Sequence, residues 1–369
     1  MFSPRQFLPV IVLVWLASAC QTSFASTATA EPSPAPTQTL EPLPTTRPYR
    51  LRGGELLLAA SPGDIPAIFA EDTLFVNAEQ GDAEWDDGEA VVGVALNGEA
   101  RAYPVRLLSL HEIVNDVVGG QPVAVTWCPL CFSAITFNRV LDRELTFGAS
   151  GYLFRNNLVM YDHQTNTLWS QLLGEALRGA YDRERLEVLP SVLTSWGLWK
   201  QSHPDTLVLS AERLGLFADE VVDPYAGYYT SGASGLGGAD EADERLSGKS
   251  LVAGLRVGKT ARVYPLAVVK EQGVINDQIE NLPLLLVYNG AFENVFAFDR
   301  RLPGQTLTFD ETGEPGVLRD RETGTTWDVN TGRALEGELA GQRLMRLSAP
   351  LVFWFAWADL HPGSEIYSP

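Results

Sequence analysis

The sequence predicts an α+β fold of mostly antiparallel strands, arranged as two tandem related lobes produced by an internal duplication. Three observations lead there. A stretch of residues 93 to 139 meets a second stretch at a constant offset of 161 without a gap. Asn97-Gly98 between two strand-like runs is a strong hairpin signal, because both residues accept positive φ. Finally, a Trp-bearing segment stopped by His-Pro occurs twice, as Trp196 to Pro204 and Trp354 to Pro362.

The repeat is read in identities. Arg101, Tyr103, Pro104, Asn115, Asp116, Pro122, Phe137 and Arg139 meet Arg262, Tyr264, Pro265, Asn276, Asp277, Pro283, Phe298 and Arg300. Further on the offset becomes 158, where Asp162, Thr165 and Trp169 meet Asp320, Thr323 and Trp327. A period this long implies paired lobes rather than a solenoid. The predicted organisation is a signal over residues 1–20, a tether over 21–50, a first lobe over 51–212, a connector over 213–249 and a second, degenerate lobe over 250–369.

At the N-terminus one Arg precedes an apolar core of about ten residues, short of the ~20 that span a bilayer. Small residues then lead to Cys20 in Leu16-Ala-Ser-Ala-Cys20. This reads as an export signal with a lipobox-like end, Cys20 being the lipidated residue. Cleavage after Ala17-Ser-Ala19 and simple secretion is the alternative. Gln21 to about Pro48 is rich in Ser, Thr, Ala and Pro and reads as a tether lifting a folded domain off the membrane. A net charge of −19 argues against nucleic acid as a partner, since such binding needs basic patches.

Within the first lobe, Ser61 to Ile68 is an extended entry, Leu107 to Asp116 is spaced for a short helix ended by Gly119-Gly120, and a strand runs into Trp127-Cys-Pro-Leu-Cys131. The run after it, Phe132 to Phe137, is β-branched and aromatic, hence a strand. The connector carries Tyr225, Tyr228 and Tyr229, suited to packing it onto a lobe or to lining a binding surface.

The comparison between lobes singles out the chemistry. Cys128 and Cys131 meet Asn289 and Phe292, His111 meets Gln272, and His163 meets Arg321. The thiols and these two imidazoles belong to the first lobe alone. His203 and His361 are equivalent, and read as helix-end caps. A disulfide across two intervening residues closes too short a loop to stabilise much. Two chemistries therefore stand: a redox couple made of Cys128 and Cys131, or a metal site in which His111 and His163 complete the two thiolates, a donor set suited to Zn or Cu. A non-catalytic cell-envelope module with structural cysteines is the other class of reading.

Several separated motifs carry a family resemblance: Thr126-Trp-Cys-Pro-Leu-Cys-Phe-Ser-Ala134, Phe147-Gly-Ala-Ser-Gly151, Asn157-Leu-Val-Met-Tyr-Asp162, Leu168-Trp-Ser-Gln171 with Gly174-Glu-Ala176, and Trp196 to Pro204. Together they resemble the bacterial and archaeal family known as domain of unknown function 3179, over about Asp64 to Pro369. The resemblance implies an exported or membrane-tethered protein and brings no reaction with it.

Overall fold

The computed structural model describes residues 49–51, 54–61, 63–236, 243–291 and 293–369. The signal, Cys20 and nearly all of the tether lie outside the described residues. So does Phe292, the counterpart of Cys131. The strand Tyr49–Leu51, paired with Gly54–Leu58, takes up the last residues assigned to the tether.

The fold is α+β, its strands mostly antiparallel and set in several sheets. In the first half the hairpin Ala90–Leu96 and Glu99–Pro104 turns at Asn97 and Gly98, whose φ angles are 50° and 89°. Next come a short helix, Val105–His111, and a meander of Ile113–Val118, Gln121–Cys128 and Ser133–Asn138. In the second half the hairpin Leu251–Val257 and Thr260–Pro265 precedes the helix Leu266–Gln272. The meander there is Val274–Ile279, Leu282–Asn289 and Asn294–Asp299.

The helix expected over Leu107 to Asp116 is shorter than its spacing implies. It ends at His111, Glu112 turns left-handed, and Ile113–Val118 is a strand paired with Gln121–Cys128. The β-branched Ile113, Val114, Val117 and Val118 prefer the pleated ladder. Gly119-Gly120, both at positive φ, turn the strand back instead of stopping a helix.

Residues matched at the two offsets make matched contacts. Tyr103 and Arg101 donate to the Asp116 carboxylate, as Tyr264 and Arg262 do to Asp277. The indole N–H of Trp169 donates to Asp162 at 3.0 Å and that of Trp327 to Asp320 at 2.8 Å. The helices Trp196–Ser202 and Trp354–Leu360 end where the N–H of His203 and of His361 reaches the carbonyl four residues back. Each histidine ring also lies against that same tryptophan, at centroid distances of 4.1 and 4.4 Å.

The halves share their cores. One buried cluster joins Val91, Tyr103, Trp127 and Trp199 to Leu285, Phe298 and Trp327 of the second half. Another joins Cys128, Cys131, Phe137 and Trp169 to Val252, Val263, Trp354 and Trp357. The strand Gln121–Cys128 lies between them. Val123, Val125 and Trp127 face one cluster and Ala124 and Cys128 the other, as the two-residue period of a strand requires.

Candidate functional site

Cys128 closes its strand and Cys131 stands in the turn that leads to Ser133–Asn138, with Cys128 and Ser133 opposite one another in the ladder. Phe132 makes the turn close by taking φ 55°, and its N–H donates to the Pro129 carbonyl at 3.3 Å. Both cysteines are free and buried. Burial, and then the neighbouring Cys128 sulfur, push the Cys131 thiol well above its usual range. Its S–H donates to the Asn156 carbonyl at 3.2 Å, and the Asn157 amide donates to the sulfur at 3.6 Å.

That asparagine is held by a buried polar network. Asn157 Nδ2 donates to Gln171 Oε1 at 3.0 Å, and Ser170 Oγ donates to Asn157 Oδ1 at 3.0 Å. Gln171 in turn donates to Thr126 Oγ1 at 3.2 Å and accepts from Ser133 Oγ at 3.0 Å. Buried amides satisfied on both ends fix a single geometry, because any rearrangement strands a polar group away from water.

The connector forms the cover. Tyr225 immediately precedes the short helix Ala226–Thr230, on which Tyr228 and Tyr229 sit. Tyr228 OH donates to the Leu130 carbonyl at 2.9 Å and accepts from the Gly235 N–H at 3.0 Å. The Tyr229 ring meets Phe132 edge-on at 5.3 Å, while Phe353 of the second half stacks on Phe132 at 5.2 Å. The Phe353 N–H reaches the Cys131 carbonyl at 2.9 Å. Lys249 Nζ lies 3.6 Å from the Tyr228 ring centroid. These contacts pack the connector onto the turn that carries the sulfurs.

Glu112 supplies an acid that sequence reading did not single out. Its side chain is buried, and burial raises its carboxyl to about 7. Tyr225 is pushed up to about 12 by burial first, with Glu112 and Cys128 both adding to the effect.

The two histidines stand apart from the sulfurs. The His111 Nδ1 pairs with the Pro66 carbonyl at 2.7 Å. The His163 Nδ1 pairs with Thr146 O at 2.9 Å, its ring against Tyr161 and Phe69, and burial lowers its pKa. Among the described residues no group of three or more His, Cys, Asp or Glu side chains is placed to hold a metal ion. Cys128, Cys131, His111 and His163 are not assembled as one ligand set.

A family model described as protein of unknown function (DUF3179) matches residues 62–364. The chain belongs to this family. No curated protein and no solved structure matches it. In this DUF3179 member several buried polar residues of the first half are as one-sided as the sulfurs themselves. Glu112 has Gly273 at the offset of 161, Thr126 has Val287, and at 158 Gln171 has Val329. The between-half comparison that marks the cysteines marks these positions as well. Gln171 reaches Thr126, 45 positions away, and through Asn157 the Cys131 sulfur, so this convergence needs the fold.

Proposed function

We propose that this is an exported, lipid-anchored protein whose first half carries a dithiol that cycles between a thiol pair and an intramolecular disulfide. The supporting observation is the pair itself: two free, buried sulfurs in one tight turn, neighbours of each other. Two sulfurs are half a tetrahedral metal set, whereas they are a complete redox couple.

In this reading the co-reactant is a disulfide on a partner protein or small molecule. Cys128, as thiolate, attacks one sulfur of that disulfide; the S–S bond breaks and one partner thiol departs. Its proton is the one that Cys128 gives up on becoming the thiolate. Cys131 then attacks the Cys128 sulfur of the mixed disulfide and the second partner thiol leaves with the Cys131 proton. Two electrons pass from the cysteines to the partner, and two thiols are released for one disulfide formed.

Equilibration of the purified protein with glutathione buffers of graded potential tests this. A reversible loss of two hydrogen masses, located to Cys128 and Cys131, is expected; cysteines that stay reduced at every potential sink the reading. The burial of both sulfurs beneath Tyr228 favours a second reading, a non-catalytic envelope module with structural thiols. Under it a Cys128→Ser, Cys131→Ser variant keeps every cellular function of the protein.

The anchoring rests on the sequence around Cys20, and the second half is read as a degenerate copy that supports the first. Membrane fractionation of a Cys20→Ala variant tests the anchor: release into the soluble exported fraction is expected, and unchanged retention refutes lipidation at Cys20.

A further inference from the structure

One cleft away from the cysteines is built from the same two segments of each half. Ala134-Ile135 and residues 187–193 line one side, and residues 294–297 and 345–351 line the other, around a volume of about 330 Å³. Val188 stands opposite Phe137 in its sheet as Arg346 stands opposite Phe298, so these two positions are equivalent. One half places an aliphatic side chain there and the other a cation.

Arg346, partly exposed in the cleft, differs from the other arginines that pack against the core. Arg101 is paired with Asp116, Arg139 with Glu144, and Arg300 donates to two backbone carbonyls. The Arg346 guanidinium lies 4.1 Å over the Phe296 ring and, among the described residues, its side chain makes no ion pair or hydrogen bond. A guanidinium over an aromatic face regains only part of its lost hydration, and an anion would restore the rest. Burial lowers its pKa to about 10, which leaves it a cation at neutral pH. The acid on the rim, Glu187, is engaged by the Asn138 amide at 2.8 Å. At the same rim Val188 and Met345 are 38% and 59% exposed, an apolar mouth beside the charge.

We propose that this cleft binds a small amphipathic carboxylate, its head on the Arg346 guanidinium and its aliphatic tail among Ile135, Leu193, Val295 and Leu351. Seams between packed units are common ligand sites, and a cavity of this size holds a ligand of about ten non-hydrogen atoms. The same chemistry comes from a free aliphatic acid or from a chain ending in an aliphatic residue with its terminal carboxylate.

Titration calorimetry on the wild-type protein with octanoate, octanol, acetate and the peptide acetyl-Ala-Ala-Leu with a free carboxylate tests the proposal. Octanoate or the peptide binds, and the tighter of the two assigns the source. Octanol and acetate bind at least about tenfold more weakly, since each lacks one of the two recognised features. Arg346→Gln weakens the carboxylate by at least about tenfold and leaves octanol unchanged. Equal binding of octanoate and octanol overturns the proposal, as does a wild-type protein that binds neither carboxylate. Should Arg346→Gln fail to fold, methyl resonances of the wild-type protein decide: ligand-induced shifts centred on Ile135, Leu193, Val295 and Leu351 support the site, and shifts elsewhere refute it.

Discussion

Glu112 and Gly273 occupy the same place in the two halves, the residue after a short helix and before the first strand of a meander, and both take positive φ, 57° and 68°. Only glycine adopts that conformation without strain; a side chain there costs about 1 kcal/mol or more. The first half thus carries, at a buried carboxyl, a backbone strain that its counterpart avoids. Strain kept where a twin shows it can be avoided is the kind found at working sites.

The buried carboxyl makes stability depend on pH. Glu112 keeps its proton to about 7 in the folded protein against an ordinary 4.5, so the folded state binds more protons between those values. Its advantage is present below pH 4.5 and lost as pH rises through 7, on the order of 3 kcal/mol in all. Glu89 and Asp116 are also raised by burial, so the comparison must be with Glu112→Gln. Denaturant unfolding of both proteins from pH 4 to 8 should show the wild type losing stability relative to the variant across that window. Parallel curves would mean that Glu112 is ionised without penalty.

The sequence carried the architecture well and the site partially. Period-two runs and the Asn97-Gly98 turn are local signals, and each half repeats them. The misread stretch, Leu107 to Asp116, fits helical spacing and strand alternation alike; the left-handed Glu112 decides between them, and nothing local to a glutamate announces positive φ. The cysteines were visible as residues without counterparts. The role of the connector was not, because Tyr228 reaches Leu130 across 98 positions of sequence.

The tyrosine cover is expected to limit access to the sulfurs. Tyr228 makes two hydrogen bonds, one tying the connector to the Cys turn at Leu130 and one to Gly235 within the connector, at about 1 kcal/mol each. Removing them in Tyr228→Ala raises the open population by roughly tenfold or more. Iodoacetamide labelling of Cys128 should accelerate by that factor, with Tyr228→Phe in between. An unchanged rate would show that the sulfurs are reached by another route.

The paired carboxylates Asp116 and Asp277 offer a comparison of burial at fixed chemistry. Each accepts from an arginine, a tyrosine hydroxyl and the next backbone N–H. The side chains of Arg101 and Asp116 are 5% and 2% exposed, those of Arg262 and Asp277 20% and 19%. Asp116→Asn removes the buried one of the three carboxylates on Arg101, leaving Asp72 and Glu99 at its more exposed side, and should cost about 2–3 kcal/mol. Asp277→Asn, screened by solvent, should cost about 1 kcal/mol. Equal losses in urea unfolding would mean that hydrogen bonding, not charge, sets both.

Glycine in the hairpin strands makes room for the repeated tryptophans. A Cβ on Gly93 would fall 2.3 Å from the Trp199 ring, and one on Gly254 the same distance from Trp357. Gly93→Ala and Gly254→Ala therefore displace a buried indole, an overpacking cost of about 1–3 kcal/mol. The indole N–H bonds, Trp199 to Thr206 and Trp357 to Ser364, hold each ring against that displacement. A smaller ring should relieve the clash, so Gly93→Ala combined with Trp199→Phe should lose less than the sum of the two single changes. Gly88→Ala, whose Cβ meets nothing within 4 Å, should stay within about 0.5 kcal/mol of wild type. Strict additivity in the Gly93 and Trp199 cycle would show that the glycine serves the hairpin backbone and not the ring.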